Sequence, residues 1–476
     1  MSKKTVKRNL LLIFLLYTIY MIIGVVGPFV RQKQIDSTDE AFISVEDFYS
    51  DTYGGDRAAI IESNQEALNI RLNMFEAAEE KIIISTFDIR EGNSTTDIFS
   101  SLISAADRGI SVQILVDGLY GIIHMNGSSL FAAAGSHPNI EIRFYNTPDL
   151  LKPWTFNGRL HDKYVIIDDK LLLVGGRNMF DYFIGEYPDT TSGYDREVLI
   201  YNTYARTDRS SESVIAEVCN YFIDVWGLDT CNPVFTKAKQ DSAKVIQEAQ
   251  SHYAAQKQLT PWQYNQEYDY YAITLPIKKA TLIHNSSNIT SKEPYVWYYM
   301  NKLMQNAEKR VFIQSPYAVL SEAMYQDLTN LSQTLEDVKL MINSVEVGDN
   351  FMASSDYLYN KSKVVATGVQ LYEYFGVRSE HAKSVLIDHD ISIIGSYNLD
   401  MRSTYVDTET MLVIHGEEFN ELLEKYINEN QVNSLLVNND GSYVKKENVQ
   451  IVQLSGRKKF IFSITSRLIQ LVRFLV

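Results

Sequence analysis

Hydrophobic and polar positions along this chain follow two periods. Stretches with apolar residues three or four apart read as helices, and short apolar runs between them read as strands. Helical spacing covers Asn64–Glu80 and Asp97–Arg108, the second stopped at Gly109. Strands follow at Lys81–Phe87 and Ser111–Val116. The order then returns: helix Val296–Glu308, strand Arg310–Ser315, helix Met324–Leu335, strand Val338–Asn343, helix Ser355–Thr367, strand Val369–Tyr374. Alternating strands and helices predict an α/β sheet. Ala77–Ile84 aligns with Asn306–Ile313, so a whole domain is duplicated rather than a short repeat.

The two ends carry patterns of another kind. Leu10–Val30 is an uncharged apolar run. As a helix at ~1.5 Å per residue it reaches ~30 Å, the thickness of a bilayer's hydrocarbon core. Lys3, Lys4, Lys7 and Arg8 precede it; Arg31 and Lys33, then Asp36, Asp39 and Glu40, follow. That bias predicts a single pass with a cytoplasmic N-terminus and the body outside the cytoplasm. A cleaved signal peptide is the rival, but no small-residue cleavage site follows and the run is long for one. The tail Lys458–Val476 has one narrow polar stripe, including Lys459, Arg467, Gln470 and Arg473, on an otherwise apolar helix. A core helix fits that pattern; an amphipathic helix lying in a membrane interface accounts better for Arg467 and Arg473. The expected divisions are an anchor and linker over 1–43, a first half over 44–232, a connecting arm over 233–293, a second half over 294–430 and an extension over 431–476.

Composition narrows the functions. A net charge of −15 argues against a general nucleic-acid binder. Two cysteines, Cys219 and Cys231, exclude a disulfide scaffold and a thiolate zinc cluster; they are either paired or free.

The candidate chemistry lies in two further hairpins. His381 and Lys383 stand two apart and so share one side of a strand, which continues to Ile387 and turns at Asp388. Ile391–Ile394 returns, ending at Gly395-Ser-Tyr-Asn398. His161, Lys163 and Asp168 repeat the spacing, and Gly175-Gly-Arg-Asn178 follows at the same distance. One H-x-K-x4-D is weak; two, with Gly and Asn at matched offsets, are not. Two imidazoles, two ammonium groups and two amides suit displacement at a phosphodiester. One neutral His attacks phosphorus, and the other donates a proton to the leaving oxygen. Lys163, Lys383, Asn178 and Asn398 are placed to stabilise charge on the phosphate oxygens. A carboxylate is wanted behind each His. Glu409, before the strand Thr410–Ile414, suits His381, and Asp195, before Arg196–Ile200, suits His161. Asp168 and Asp388 belong to the motif and read as holding its turn. A lysine beside each His repels a cation, so neither metal nor cofactor is expected.

The duplicated H-x-K-x4-D with trailing G-x-x-N resembles the phospholipase D superfamily, over roughly Asn64–Ile427. Within it the chain is similar to bacterial cardiolipin synthases with Gly-Gly-Arg-Asn in the first motif. Supporting stretches are Ala105–Gly109, Gln314–Tyr317, Gly368–Tyr374 and Gly395–Ser403. The resemblance implies two α/β/α sandwich halves packed about a pseudo-twofold, with one active site at their seam. It implies transfer of a phosphatidyl group to phosphatidylglycerol at a bacterial cell membrane, with phosphatidylethanolamine a further candidate lipid. It also implies His161 as nucleophile and His381 as acid and base, which the residues alone leave open. Asp407 stands where the family usually has Asn. A hydrolase releasing phosphatidic acid, a nuclease and an inactive scaffold are the alternatives; the anchor, tail and acidity favour lipid over nucleic acid, and two intact motifs disfavour the scaffold.

Overall fold

Two sheets form the body of the computed structural model, which describes residues 3–35, 44–188, 190–451 and 453–476. Across the first, the strands run Cys231–Val234, Ile140–Tyr145, Ser111–Asp117, Lys81–Thr86, Tyr164–Ile167, Leu171–Gly175, Glu197–Asn202, Asp56–Ile61 and Leu275–Pro276. Across the second they run Ser434–Leu436, Gln370–Tyr374, Asp337–Asn343, Arg310–Gln314, Ser384–Ile387, Ile391–Gly395, Thr410–His415 and Lys279–His284. Strand for strand the orders coincide, and in each sheet the second, third and fourth strands are parallel while the others pair antiparallel. The duplication is therefore one of topology, α/β in both halves.

The sheets face one another. Their central strands read as unbroken apolar runs because both faces are buried. Ile82 and Ile84 enter an outer core with Ile98, Phe99 and Leu102, whereas Ile83 points the other way. The inner cluster joins Ile166, Val174 and Ile200 of the first sheet to Phe312, Leu386, Ile394 and Leu412 of the second. Two helices, Val214–Trp226 and Glu417–Gln431, add Val218, Phe222, Phe419 and Leu423 to it.

Both motif hairpins are pinned at the turn. Asp168 and Asp388 have positive φ, 50° and 49°, a conformation that aspartate tolerates better than most residues. The Asp168 carboxylate accepts the backbone N–H groups of Glu79, Glu80 and Lys81 at 2.7–3.0 Å. Asp388 does the same for Glu308, Lys309 and Arg310. Each aspartate thus ties its hairpin to the neighbouring strand, at the opposite end from the histidine.

Some divisions differ from the sequence expectation. The segment 233–293 is not a separate arm. Its helix Ser242–Leu259 packs on Asn93–Asp107 and Ser129–Gly135, and Tyr253, Tyr264 and Tyr270 join the first outer core. Leu275–Pro276 ends the first sheet, and Lys279–His284 is the second-half counterpart of Asp56–Ile61. The short, mixed pattern of Lys279–His284 hid this strand. Cys219 and Cys231 are free thiols.

The N-terminal helix Lys3–Val26, prolonged to Phe29, is long and apolar enough to cross a membrane. Asp36, Asp39 and Glu40 lie outside the described residues. The tail forms a helix over Gly456–Leu468 that docks on the body. Lys459, Ser463 and Arg467 of its polar stripe stay exposed while Phe462, Ser466 and Ile469 are buried, and contrary to the expectation Arg473 turns inward. That guanidinium bonds the buried Asp356 at 2.9 Å and donates to Leu320 O, and Gln470 also reaches Asp356. A buried carboxylate requires such partners. Phe460, Leu468 and Leu471 are left exposed.

Replacing Asp168 with Ala leaves three backbone donors without their acceptor. The expected loss is about 2–3 kcal/mol, read from the urea midpoint, with Asp168→Asn losing less. An unchanged midpoint for both would contradict the pinning role.

Candidate active site

Each histidine begins the segment that leads into its strand, and the strand fixes where the ring goes. His161 and His381 are largely buried, at the seam. The Nδ1 of His161 lies 2.8 Å from Oε1 of Glu409, and the Nδ1 of His381 lies 2.7 Å from Oδ2 of Asp195. Each imidazole therefore takes its carboxylate from the other half. This reverses the pairing suggested by position along the chain. Within one half, the carboxylate strand is two strands from the histidine strand, about 9–10 Å away. Across the seam, bridges join Leu160 to Thr408 and Tyr194 to Glu380, placing each histidine segment against the partner's carboxylate segment. The His161 N–H donates to Thr408 Oγ1 and the His381 N–H to Tyr194 O.

Small residues make room for these contacts. A Cβ on Gly176 would come within 2.3 Å of the Asp195 carboxylate. The equivalent Ser396 is accommodated because its hydroxyl donates to Glu409. The lysines lie beside the same groups. Lys163 Nζ donates to His161 O at 2.6 Å; Lys383 Nζ donates to His381 O and lies 2.6 Å from that ring's Nδ1. The amide oxygens of Asn178 and Asn398 are buried without a protein partner, so these two amides are not used up in holding the fold. Asp407 accepts the Arg159 N–H and the Arg402 Nε–H, so its extra charge relative to Asn is matched by Arg402.

Electrostatically the two dyads differ. Burial, with Lys163 next, lowers the His161 pKa well below the ordinary range; Lys383 and His381 act in the same direction. Burial also pushes Glu409 up to about 8 and Lys163 down to about 7, each opposed by the other's charge. Burial would raise Asp195 too, but Lys383 and the His381 hydrogen bond outweigh it and hold the carboxyl below its usual range. His161 is thus kept neutral, and His381 faces a firmly ionised carboxylate.

A cavity of about 370 Å³ opens on His161 and Asn398, walled by Phe87, Tyr120, Tyr317 and Arg402. A larger one, about 740 Å³, lies at the far end of the first hairpin, beside Asp168 and Cys219, where no catalytic constellation exists. Among the described residues no group of His, Cys, Asp and Glu could hold a metal ion.

A family model described as "Cardiolipin synthase, PLD-like domain" matches residues 72–181 and 300–430, about half of the chain and most of both halves. The chain belongs to this family. Similar relatives include cardiolipin synthase C of Escherichia coli K12, 25% identical over an alignment 413 positions long that covers 77% of this chain and 82% of that protein. Cardiolipin synthase B of Salmonella typhi is 24% identical over 372 residues, 78% of this chain and 79% of that one. The crystal structure of phosphatidylserine synthase from Haemophilus influenzae Rd KW20 aligns with a TM-score of 0.62. It covers 88% of this chain and 95% of that one at 12% identity, a likeness of fold.

For this cardiolipin synthase-like chain, sequence spacing located the histidines, lysines, asparagines and carboxylates. It missed the crossing of the dyads, and it missed Phe87 and Phe183, whose rings lie 5.0 and 5.1 Å from those of His161 and His381. It also missed Arg159 and Arg402, which flank the cavity. No local pattern marks the two rings, because the histidines they face are far away in the chain. In proton spectra of histidine-labelled protein, the downfield Nδ1–H signal of His161 should shift in Glu409→Gln and stay in Asp195→Asn. The His381 signal should show the reverse. Pairing within each half predicts the opposite pattern.

Proposed function

We propose that the protein is a membrane-bound phosphatidyltransferase that makes cardiolipin from two phosphatidylglycerol molecules through a phosphohistidine. The observation that carries this is the pair of crossed imidazole–carboxylate dyads with an ammonium beside each. In the reading proposed, His161 Nδ1–H donates to Glu409, which leaves the Nε2 lone pair free to attack phosphorus. The P–O bond to glycerol breaks, and protonated His381, supported by Asp195, gives the leaving oxygen its proton. A hydroxyl of the second phosphatidylglycerol then gives its proton to His381 and attacks the same phosphorus. The P–N bond breaks and cardiolipin leaves. Lys163, Lys383, Asn178 and Asn398 stabilise charge on the nonbridging oxygens. The neutral state of His161 and the ionised state of Asp195 support this assignment over its reverse. Asp168 and Asp388 act only through the hairpins. The apolar N-terminal helix and the names of the relatives support a bacterial cell membrane, with the N-terminus cytoplasmic and the body outside.

Purified protein in phosphatidylglycerol vesicles should release cardiolipin and glycerol in equal amounts with no added metal. Phosphatidic acid as the main product would make it a hydrolase. His161→Ala and His381→Ala should each abolish turnover, and Glu409→Gln should slow it by about 10²–10⁴-fold. Activity surviving both histidine changes would end the phosphohistidine mechanism. The nucleophile must be neutral and its pKa is depressed, so kcat/KM should hold as pH falls to 6.5 and decline only below it. A decline beginning above that value would remove His161 from the role.

A further inference from the structure

One loop of the first half reaches away from the imidazoles and lies along the N-terminal helix. At its tip Leu150 and Leu151 are 62% and 75% exposed. Their carbonyls are not left to solvent: Tyr17 Oη donates to Leu150 O at 2.9 Å and Tyr20 Oη to Leu151 O at 2.6 Å. Further along, Asn157 Nδ2 donates to Val25 O, and Pro153 packs so closely on Gly24 that a Cβ there would come within 2.2 Å of it.

We propose that the loop 148–156 is immersed in the lipid bilayer beside this helix, so that the catalytic cavity opens against the membrane and lipids enter it sideways. Depth follows from the helix. Crossing from Leu10, just after Arg8, it carries Tyr17 and Tyr20 about 10 and 15 Å into a core about 30 Å thick. Carbonyls at that depth have no water to bond, and irregular backbone survives there only when satisfied from within. The two tyrosines supply that. Asp149 is likewise occupied, accepting the Leu151 N–H. The same loop ends at Phe156, which forms part of the cavity wall with Met352, itself exposed. The end of the helix is fixed beside the site as well: Phe29 is buried among Met401, Tyr405 and Val406, just beyond Asn398. A lipid surface is the occupant that fits, because the exposed leucines continue the apolar face of a membrane-spanning helix.

The test uses the full chain in phosphatidylglycerol vesicles, with Cys219 and Cys231 replaced by Ser and a fluorophore on Leu151→Cys. Nitroxide groups on lipid acyl chains should quench it by at least half, and aqueous iodide should not. The same label on Lys244→Cys should show the reverse. Iodide quenching at 151 as strong as at 244, or shielding from both quenchers by protein, would overturn the proposal. These readings need no turnover, so they stand or fall apart from the transferase chemistry. Leu150→Asp with Leu151→Asp should lower turnover on vesicles at least tenfold and leave turnover on monomeric short-chain phosphatidylglycerol unchanged. Equal effects on both substrates would also overturn it.

Discussion

The hydrogen bond between each imidazole and a carboxylate of the opposite half is the contact on which this molecule's arrangement depends. Neither half holds a complete dyad. A single copy of the fold has a histidine, and a carboxylate two strands away from it. Packing the halves about a pseudo-twofold satisfies both at once. The seam is therefore both an interface and the site.

Burying four charged groups per site costs desolvation, and the surroundings offset it in two ways. The apolar inner cluster excludes water over most of the contact between the sheets. Polar groups at its edge are paired across it, as where Arg196 donates to Gln314 and Ser384 of the other half. The pairing is not symmetric. Gly176 gives the shorter Asp195 its place, whereas Ser396 hydrogen-bonds the longer Glu409. The electrostatic environments differ too: burial and Lys163 lower the His161 pKa, while Lys383 holds Asp195 below its usual range against burial.

The ends of the chain converge on the same region. Phe29 and the tail residues Phe474, Leu475 and Val476 share one cluster, and the last two reach the cavity wall. Arg402, which lines the cavity with Asn398, donates from its side chain to Leu475 O and from its backbone to Val476 O. The tail is thus part of the body's packing through Phe462, Ile469, Gln470 and Arg473, while Phe460, Leu468 and Leu471 look outward. An ionic partner on the body, Asp356, holds the turns that follow the helix.

Much was legible in the sequence because it was local. Apolar periodicity gave most helices and strands to within a few residues, the doubled H-x-K-x4-D marked the hairpins, and a run of twenty-one uncharged, mostly apolar residues marked the long N-terminal helix. The strand Lys279–His284 escaped because an edge strand with mixed residues has no strong period. The choice of carboxylate for each histidine lay beyond any spacing argument. His161 and Glu409 are 248 residues apart, and only the distance between strands, against the closeness of two facing halves, selects that pair. Sequence determined which polar groups stand together on each hairpin, since side-chain type and strand period are properties of short segments. Tertiary structure alone decided which of them meet, because contact across a duplicated seam is set by how two sheets pack.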